Sequence, residues 1–390
     1  MRAATSLTSK LGLLILVVLV IFIATVGNAQ ATSPGNDTGT AAIAATTCGD
    51  GDIQLFHRDA SNRFIYHLYV AGNWHDSSYI LPVVVDPKPN TPLAGFSWQD
   101  STSMDHIRLY YFGADGHIVE IIGSCVGVIC DWDRGEHSLG NANSTITSGL
   151  AVVSNGNSED LRAWIYYLNS ASSISYTYYT GETGWQIYNT TGQVVSDRSS
   201  LAASGEPDGT NFQVTYVSRD SELSQISWTG EWLPGGTIDD SIGPDFYPAL
   251  AMAITASPSS RRLYYINSSM IIEEWTYQNG AWDSQARSSP VLPTADAAGG
   301  PIAAVALTTG VRLYYVSGGN ILEGEVDNDG QWSLIGNLST TTVPETPPTS
   351  SGEMLTDIDW IHFCSSLPGY EEPGGAEVKE SSASSHVTDR

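Results

Sequence analysis

The chain has 390 residues, 42 of them acidic against 16 basic, and a formal net charge of −26. Only Lys10, Lys88 and Lys379 are lysines, which excludes a nucleic-acid binder, because affinity for phosphate backbones rests on clustered Lys and Arg. Charged residues are 15% of the chain and aromatic residues 10%, with 11 Trp and 19 Tyr, the composition of a β-rich extracellular protein.

At the N-terminus Arg2 and Lys10 precede an apolar run from Leu11 to Val26, followed by the small residues Ala29 and Ala31. This is the pattern of a secretory signal over residues 1–31, or of a signal anchor if it is not cleaved, so the protein is expected to be secreted, with no membrane association once the signal is cleaved. Residues 32–41 form a short linker. N-glycosylation sequons at Asn36, Asn143, Asn189, Asn267 and Asn337 mark expected surface loops.

From Ala42 onward the chain repeats itself. A short strand segment recurs as IQLFH from Ile53, IRLYY from Ile107, LRAWI from Leu161, FQVTY from Phe212, RRLYY from Arg261 and VRLYY from Val311. Each leads through a Gly, Asn, Ser or Asp turn into a second strand, and each unit ends in a tryptophan: Trp74, Trp132, Trp185, Trp232, Trp282 or Trp332. A preceding strand is visible in LAGFSW from Leu93, LAVVS from Leu150, LAMAIT from Leu250 and IAAVALT from Ile302. Six units of about 50 residues, each with three or four short strands, predict an all-β fold, a six-bladed β-propeller over 42–366. The segment from Ser339 to Ser351 reads as a loop before a closing strand in TDIDWIHFC, and residues 367–390 as a disordered acidic tail. Cys125 and Cys130 are close enough to staple a local loop. Pairing of Cys48 with Cys364 would join the first strand region to the last. No histidine sits at ligand spacing beside the cysteines, so neither metal nor cofactor is expected.

The repeated hairpin places an arginine on one strand and a carboxylate eleven or twelve residues later on its partner, roughly opposite. The pairs are Arg108 with Glu120, Arg262 with Glu274 or Glu273, and Arg312 with Glu323 or Glu325. An isolated pair of this kind is a cross-strand salt bridge, but surface ion pairs contribute little to stability and do not explain three repeats, each with a tryptophan. A forked guanidinium, a carboxylate and an aromatic face suffice to hold the hydroxyls and C–H face of a neutral sugar.

The hairpins IRLYYFGADGHIVE, RRLYYINSSMIIEEWTYQNGAW and VRLYYVSGGNILEGEVDNDGQW resemble the fungal fucose-specific lectins of the six-bladed propeller type. The resemblance implies binding of fucosylated glycans or glycoproteins at sites between blades, with Arg and Glu from one blade and two aromatic residues from the next. Transferred to this sequence, it implies one site at Arg108, Glu120, Tyr179 and Trp185, and another at Arg312, Glu323, Tyr69 and Trp74. A weaker third would use Arg262, Glu274 and Trp332, with Val326 where the smaller aromatic would stand. Gln54 and Tyr66, Tyr176 beside Arg162, and Gln213 with Gln225 depart from the pattern, so those three places are expected to be silent. The chain is thus read as a multivalent, non-catalytic lectin, alone or as a homodimer. A degenerate propeller acting as a protein scaffold is the alternative, and a propeller glycosidase a more remote one, since no paired carboxylates share one pocket.

Overall fold

The computed structural model describes residues 42–338, apart from 49–50, 60, 76–77, 84, 142–148, 156–158, 189, 206–210, 245, 256–259 and 284. The signal segment, Cys364 and its proposed pairing with Cys48, the expected closing strand and the acidic tail lie outside the described residues, as do Asn36, Asn143 and Asn189.

Most strands in the six repeats carry β-branched or aromatic residues, and each repeat folds as an antiparallel meander. In the first blade the strands are Ile43–Cys48, Asp52–Arg58, Phe64–Val70 and Asn73–Trp74. The second has Ala94–Gln99, Asp105–Phe112, His117–Val126 and Ile129–Asn141. The third has Leu150–Ser154, Arg162–Leu168, Ile174–Thr180 and Gly184–Tyr188, and the fourth Leu201–Ser204, Phe212–Val217, Leu223–Trp228 and Trp232–Asp239. The fifth has Ala251–Ile254, Arg261–Ile266, Ile272–Gln278 and Ala281–Trp282, and the sixth Ile302–Leu307, Gly310–Ser317, Asn320–Asp327 and Trp332–Leu338. Two short strands, Tyr79–Ile80 and Arg287–Ser288, pair with the third strands of the first and fifth blades.

The first strand of each blade touches the first strand of the next, and that of the sixth touches that of the first, so the sheets close a six-bladed β-propeller. Among the described residues each blade is built from one continuous stretch of chain, and the sixth blade meets the first through their first strands.

Both faces of each sheet are apolar, and so six hydrophobic clusters form, one at each junction between blades. Phe56 and Tyr66 of the first blade pack with Ile107, Leu109 and Tyr111 of the second. On the other side, Ile53 and Leu55 pack with Val305, Tyr314 and Ile321 of the sixth. Alternation along the strands therefore aims His57 and His67 at the sixth blade as well, because they follow Leu55 and precede Tyr69 by two residues.

The turn between the second and third strands explains why the interval from arginine to carboxylate is eleven residues in the sixth blade and twelve in the second and fifth. In five blades it is a three-residue loop ending in a left-handed residue, Asn62, Gly116, Ser172, Ser221 or Met270. In the sixth it is the two-residue loop Gly318–Gly319, with φ of 60° and 73°, which shortens the path from arginine to carboxylate by one residue.

Candidate functional site

The site is built on the open end of each hairpin. The register does not set arginine and carboxylate directly opposite, as the spacing alone suggested. Glu120 faces Tyr110, Glu274 faces Tyr264 and Glu323 faces Tyr314, while each arginine lies two residues along on the same face. The tyrosine was the missed member: its hydroxyl donates to the carboxylate at 2.8 Å in the first two cases and 3.1 Å in the third. Burial, and then the adjacent carboxylate, holds these three phenols well above their usual range, so they stay protonated donors.

The sixth-to-first junction is the most completely assembled. Glu323, 2% exposed, accepts from Arg312 Nη1 at 2.6 Å through Oε1 and from the Trp74 indole at 2.8 Å through Oε2. Trp74 stands edge-on to Tyr314, with centroids 5.9 Å apart, and against Tyr69 at 5.3 Å. The Arg312 guanidinium lies over the Tyr69 ring at 5.9 Å. Glu325, the rival carboxylate, faces Arg312 directly, with Oε2 3.6 Å from Nε. Burial opposes the charge on Arg312, but Glu323 and Glu325 outweigh it and hold the guanidinium above its usual range.

At the second-to-third junction, Glu120 Oε1 lies 3.6 Å from Arg108 Nε, and Oε2 accepts the backbone N–H of Glu136 at 3.0 Å. Arg108 sits over Trp98 at 5.0 Å, and Trp185 stands edge-on to Tyr110 at 6.0 Å with Tyr179 beside it at 5.2 Å. Burial raises the Glu120 carboxyl above the usual carboxylate range.

At the fifth-to-sixth junction it is Glu274, and not Glu273, that lies beside Arg262. Glu274 is 1% exposed and lies 3.4 Å from Arg262 Nη1, whereas Glu273 points to the other face, toward Tyr265 and Asn267. Arg262 also donates to the carbonyl of Asp327 at 3.1 Å, and its side chain is only 9% exposed against 20% for Arg108 and 13% for Arg312. Trp332 is edge-on to Tyr264 at 6.3 Å, and Val326 is fully buried. Glu274 Oε2 is buried without a hydrogen-bond partner, an acceptor for which a ligand hydroxyl would provide the proton.

The other three junctions differ one by one. Between the first and second blades Gln54 turns to Thr46 and Ser97, and Tyr66 fills the carboxylate position with Trp132 edge-on at 5.1 Å. The predicted Cys125–Cys130 disulfide is formed beside it, with Cys130 Sγ 3.6 Å from the Tyr66 hydroxyl. Between the third and fourth, Arg162 pairs outward with Asp160 at 2.6 Å, and Tyr176 packs near Trp232 at 5.9 Å. Between the fourth and fifth, Gln225 accepts the Trp282 indole at 2.8 Å, the same contact that Glu323 makes with Trp74.

Of the two described sequons, Asn337 is exposed, while Asn267 is half-buried with its amide donating to Glu273 and its carbonyl accepting from Ser269 and Ile271. A cavity of about 510 Å³ lies elsewhere, lined by Asp239, Glu273, Trp275 and neighbours.

No protein-family model matches the chain, and no curated protein matches it by sequence. Its fold does match solved structures. Aleuria aurantia lectin, described as a six-bladed β-propeller with a novel fucose recognition mode, aligns with a TM-score of 0.62 at 19% identity over 77% of this chain and 96% of that one. AofleA from Arthrobotrys oligospora aligns at 0.63 with 16% identity, over 79% and 87% of the two chains. The SapL1 lectin, solved with alpha methyl fucoside, aligns at 0.58 with 18% identity, over 78% and 98%. The chain therefore has the fold found in fucose lectins.

Proposed function

We propose that the protein is a secreted, non-catalytic lectin that binds fucosylated glycans at the sixth-to-first, second-to-third and fifth-to-sixth junctions. The observation that carries this reading is the set of donors converging on Glu323 from two blades, beside two aromatic rings. Arg312 offers forked N–H donors to ring hydroxyls, Glu323 and Glu325 accept from them, and Tyr69 and Trp74 offer rings for the C–H face and methyl group of fucose. The fucose recognition described for Aleuria aurantia lectin, and the complex of SapL1 with alpha methyl fucoside, both on this fold, support the choice of sugar.

Glycoside hydrolysis requires two carboxyl groups flanking one scissile bond. In this reading Glu120 and Glu274 stand at separate junctions, and Glu323 and Glu325, two residues apart on one strand, are both drawn to the single guanidinium of Arg312 instead of flanking a bond. Binding without chemistry is the role that fits them. Repeated sites on one rigid ring then give avidity on a glycan-coated surface.

The test is calorimetry of the secreted form with L-fucose and with D-galactose. Saturable fucose binding at two or three sites per chain is the expected result. A folded protein that gives no heat with either sugar would leave a scaffold for protein contacts as the better account.

A further inference from the structure

A second polar cluster stands at the opposite end of the second blade's hairpin. The turn after Phe112 carries Asp115 and His117, and the outermost strand brings His137 beside them. Asp115 Oδ2 lies 2.8 Å from His137 Nε2 and 3.4 Å from His117 Nδ1. The two imidazoles meet edge-on with centroids 5.6 Å apart. Asp115 Oδ1 accepts the backbone N–H of His117 at 3.1 Å, which fixes the carboxylate. Register shifts between His117 and Val119 and again between Val119 and Ile121 set His137 opposite Val119, within reach of the turn.

We propose that Asp115, His117 and His137 form a binding site for a divalent cation of the zinc class. Among the described residues, this is the group whose ligand atoms converge, all lying within 4.8 Å of one another. Ligands around tetrahedral zinc stand about 3.3 Å apart, given bonds of about 2.0–2.1 Å, so binding would open the Asp115–His137 contact and bring the two imidazole nitrogens, which lie within 4.8 Å, to that spacing. Two imidazole nitrogens with one carboxylate oxygen suit Zn²⁺, whereas Ca²⁺ and Mg²⁺ demand oxygen ligands. A hydrogen-bonded clamp on the turn needs one histidine, and His137 already supplies it. The second imidazole has no such job: His117 Nδ1 is buried without a hydrogen-bond partner and faces the same carboxylate oxygen. Solvent would complete the coordination. The proposal does not rest on the sugar reading: Arg108 lies four strand residues from the turn, roughly 13 Å, and the link between the two places is the backbone N–H of Glu136, beside His137, donated to Glu120.

The experiment titrates untagged protein with ZnCl₂ by calorimetry, with MgCl₂ and CaCl₂ as controls, and follows thermal unfolding in parallel. One zinc site is expected, with Tm raised by roughly 4 °C at a hundredfold excess over Kd and no effect of the control salts. His117→Ala and His137→Ala should each weaken zinc at least tenfold. His137→Gln, which retains a donor toward Asp115, guards against misfolding of the alanine variants and should also fail to bind. Absence of saturable zinc binding up to millimolar concentration would overturn the proposal. So would unchanged affinity in the folded His117→Ala and His137→Gln variants, which would put the ion elsewhere.

Discussion

The sixth-to-first and first-to-second junctions share one backbone plan and differ in what occupies it. At the former, a buried carboxylate is held by an arginine, a tyrosine and the next blade's tryptophan. At the latter, Phe56 stands where the tyrosine would be, the fully buried Tyr66 replaces the carboxylate, and Gln54 is withdrawn into bonds with Thr46 and Ser97. Position 123, where the second aromatic would project, is glycine, and a Cβ there would lie 2.6 Å from the Trp132 ring. The indole has settled into that space. The arginine, tyrosine and carboxylate of the one junction are thus replaced in the other by groups that fill the space, without any change in the register of the hairpin.

The largest effect that should separate the two junctions is acid. His57 and His67 stack at 5.1 Å on the face of the first blade that meets the sixth. Burial first, aided by mutual repulsion for His57, holds their pKa values down to about 3 and about 4. The unfolded chain binds these protons near the ordinary imidazole value of about 6.5. Their contribution to stability is therefore present above that pH and is lost as pH falls toward the folded values. Between pH 6.5 and 4.5 the loss should be roughly 2–3 kcal/mol for each histidine, measurable by denaturant unfolding at the two pH values. Replacing both with phenylalanine should flatten the profile, and a persistent slope would assign it to other groups.

Next comes Arg312→Ala, which leaves Glu323 buried without its cation. The cost should be about 3 kcal/mol of stability, seen in the unfolding midpoint, together with one fucose site lost from the calorimetric stoichiometry. An unchanged stoichiometry would break the comparison. Replacing Cys125 and Cys130 with serine opens a short loop beside Tyr66 and should cost about 2 kcal/mol, with fucose stoichiometry unaffected. The smallest effect is a gain. Gln225 already accepts the Trp282 indole, so Gln213→Arg with Thr215→Tyr and Gln225→Glu should restore the repeated set at the fourth-to-fifth junction and add a weak fucose site. The same set of changes at the first-to-second junction should add none, because Trp132 occupies the space.

The ring was legible in the sequence because six hairpins and six tryptophans recur at nearly constant spacing, and radial repetition leaves few other folds. Arg312 and a nearby carboxylate were legible through their spacing, whereas Tyr69 and Trp74 came from the resemblance to the fucose lectins; the structure brings all four together. The tyrosines were in plain view as the third residue of each RLYY segment, yet strand tyrosines serve so often as core that the pattern concealed their bond to the carboxylate. Asp115, His117 and His137 were out of reach, since two register shifts decide whether a histidine twenty residues after His117 returns to the turn. The closing strand expected after Ser351 lies outside the described residues; within them, the first strands of the first and sixth blades already touch. Here Ile43–Cys48 and Trp332–Leu338 each complete their own blade.

That mode of closure sets an order of assembly. Within a blade, every strand pairs with a near neighbour in sequence, so each sheet can form as soon as its own stretch of chain is available. The bond between Trp74 and Glu323 spans 249 residues and exists only when both ends of the propeller have met. A sugar bound there would act as a clasp across the seam, favouring the shut ring over any opened form by mass action. The Arg108 site, made by consecutive blades, would give no such reinforcement.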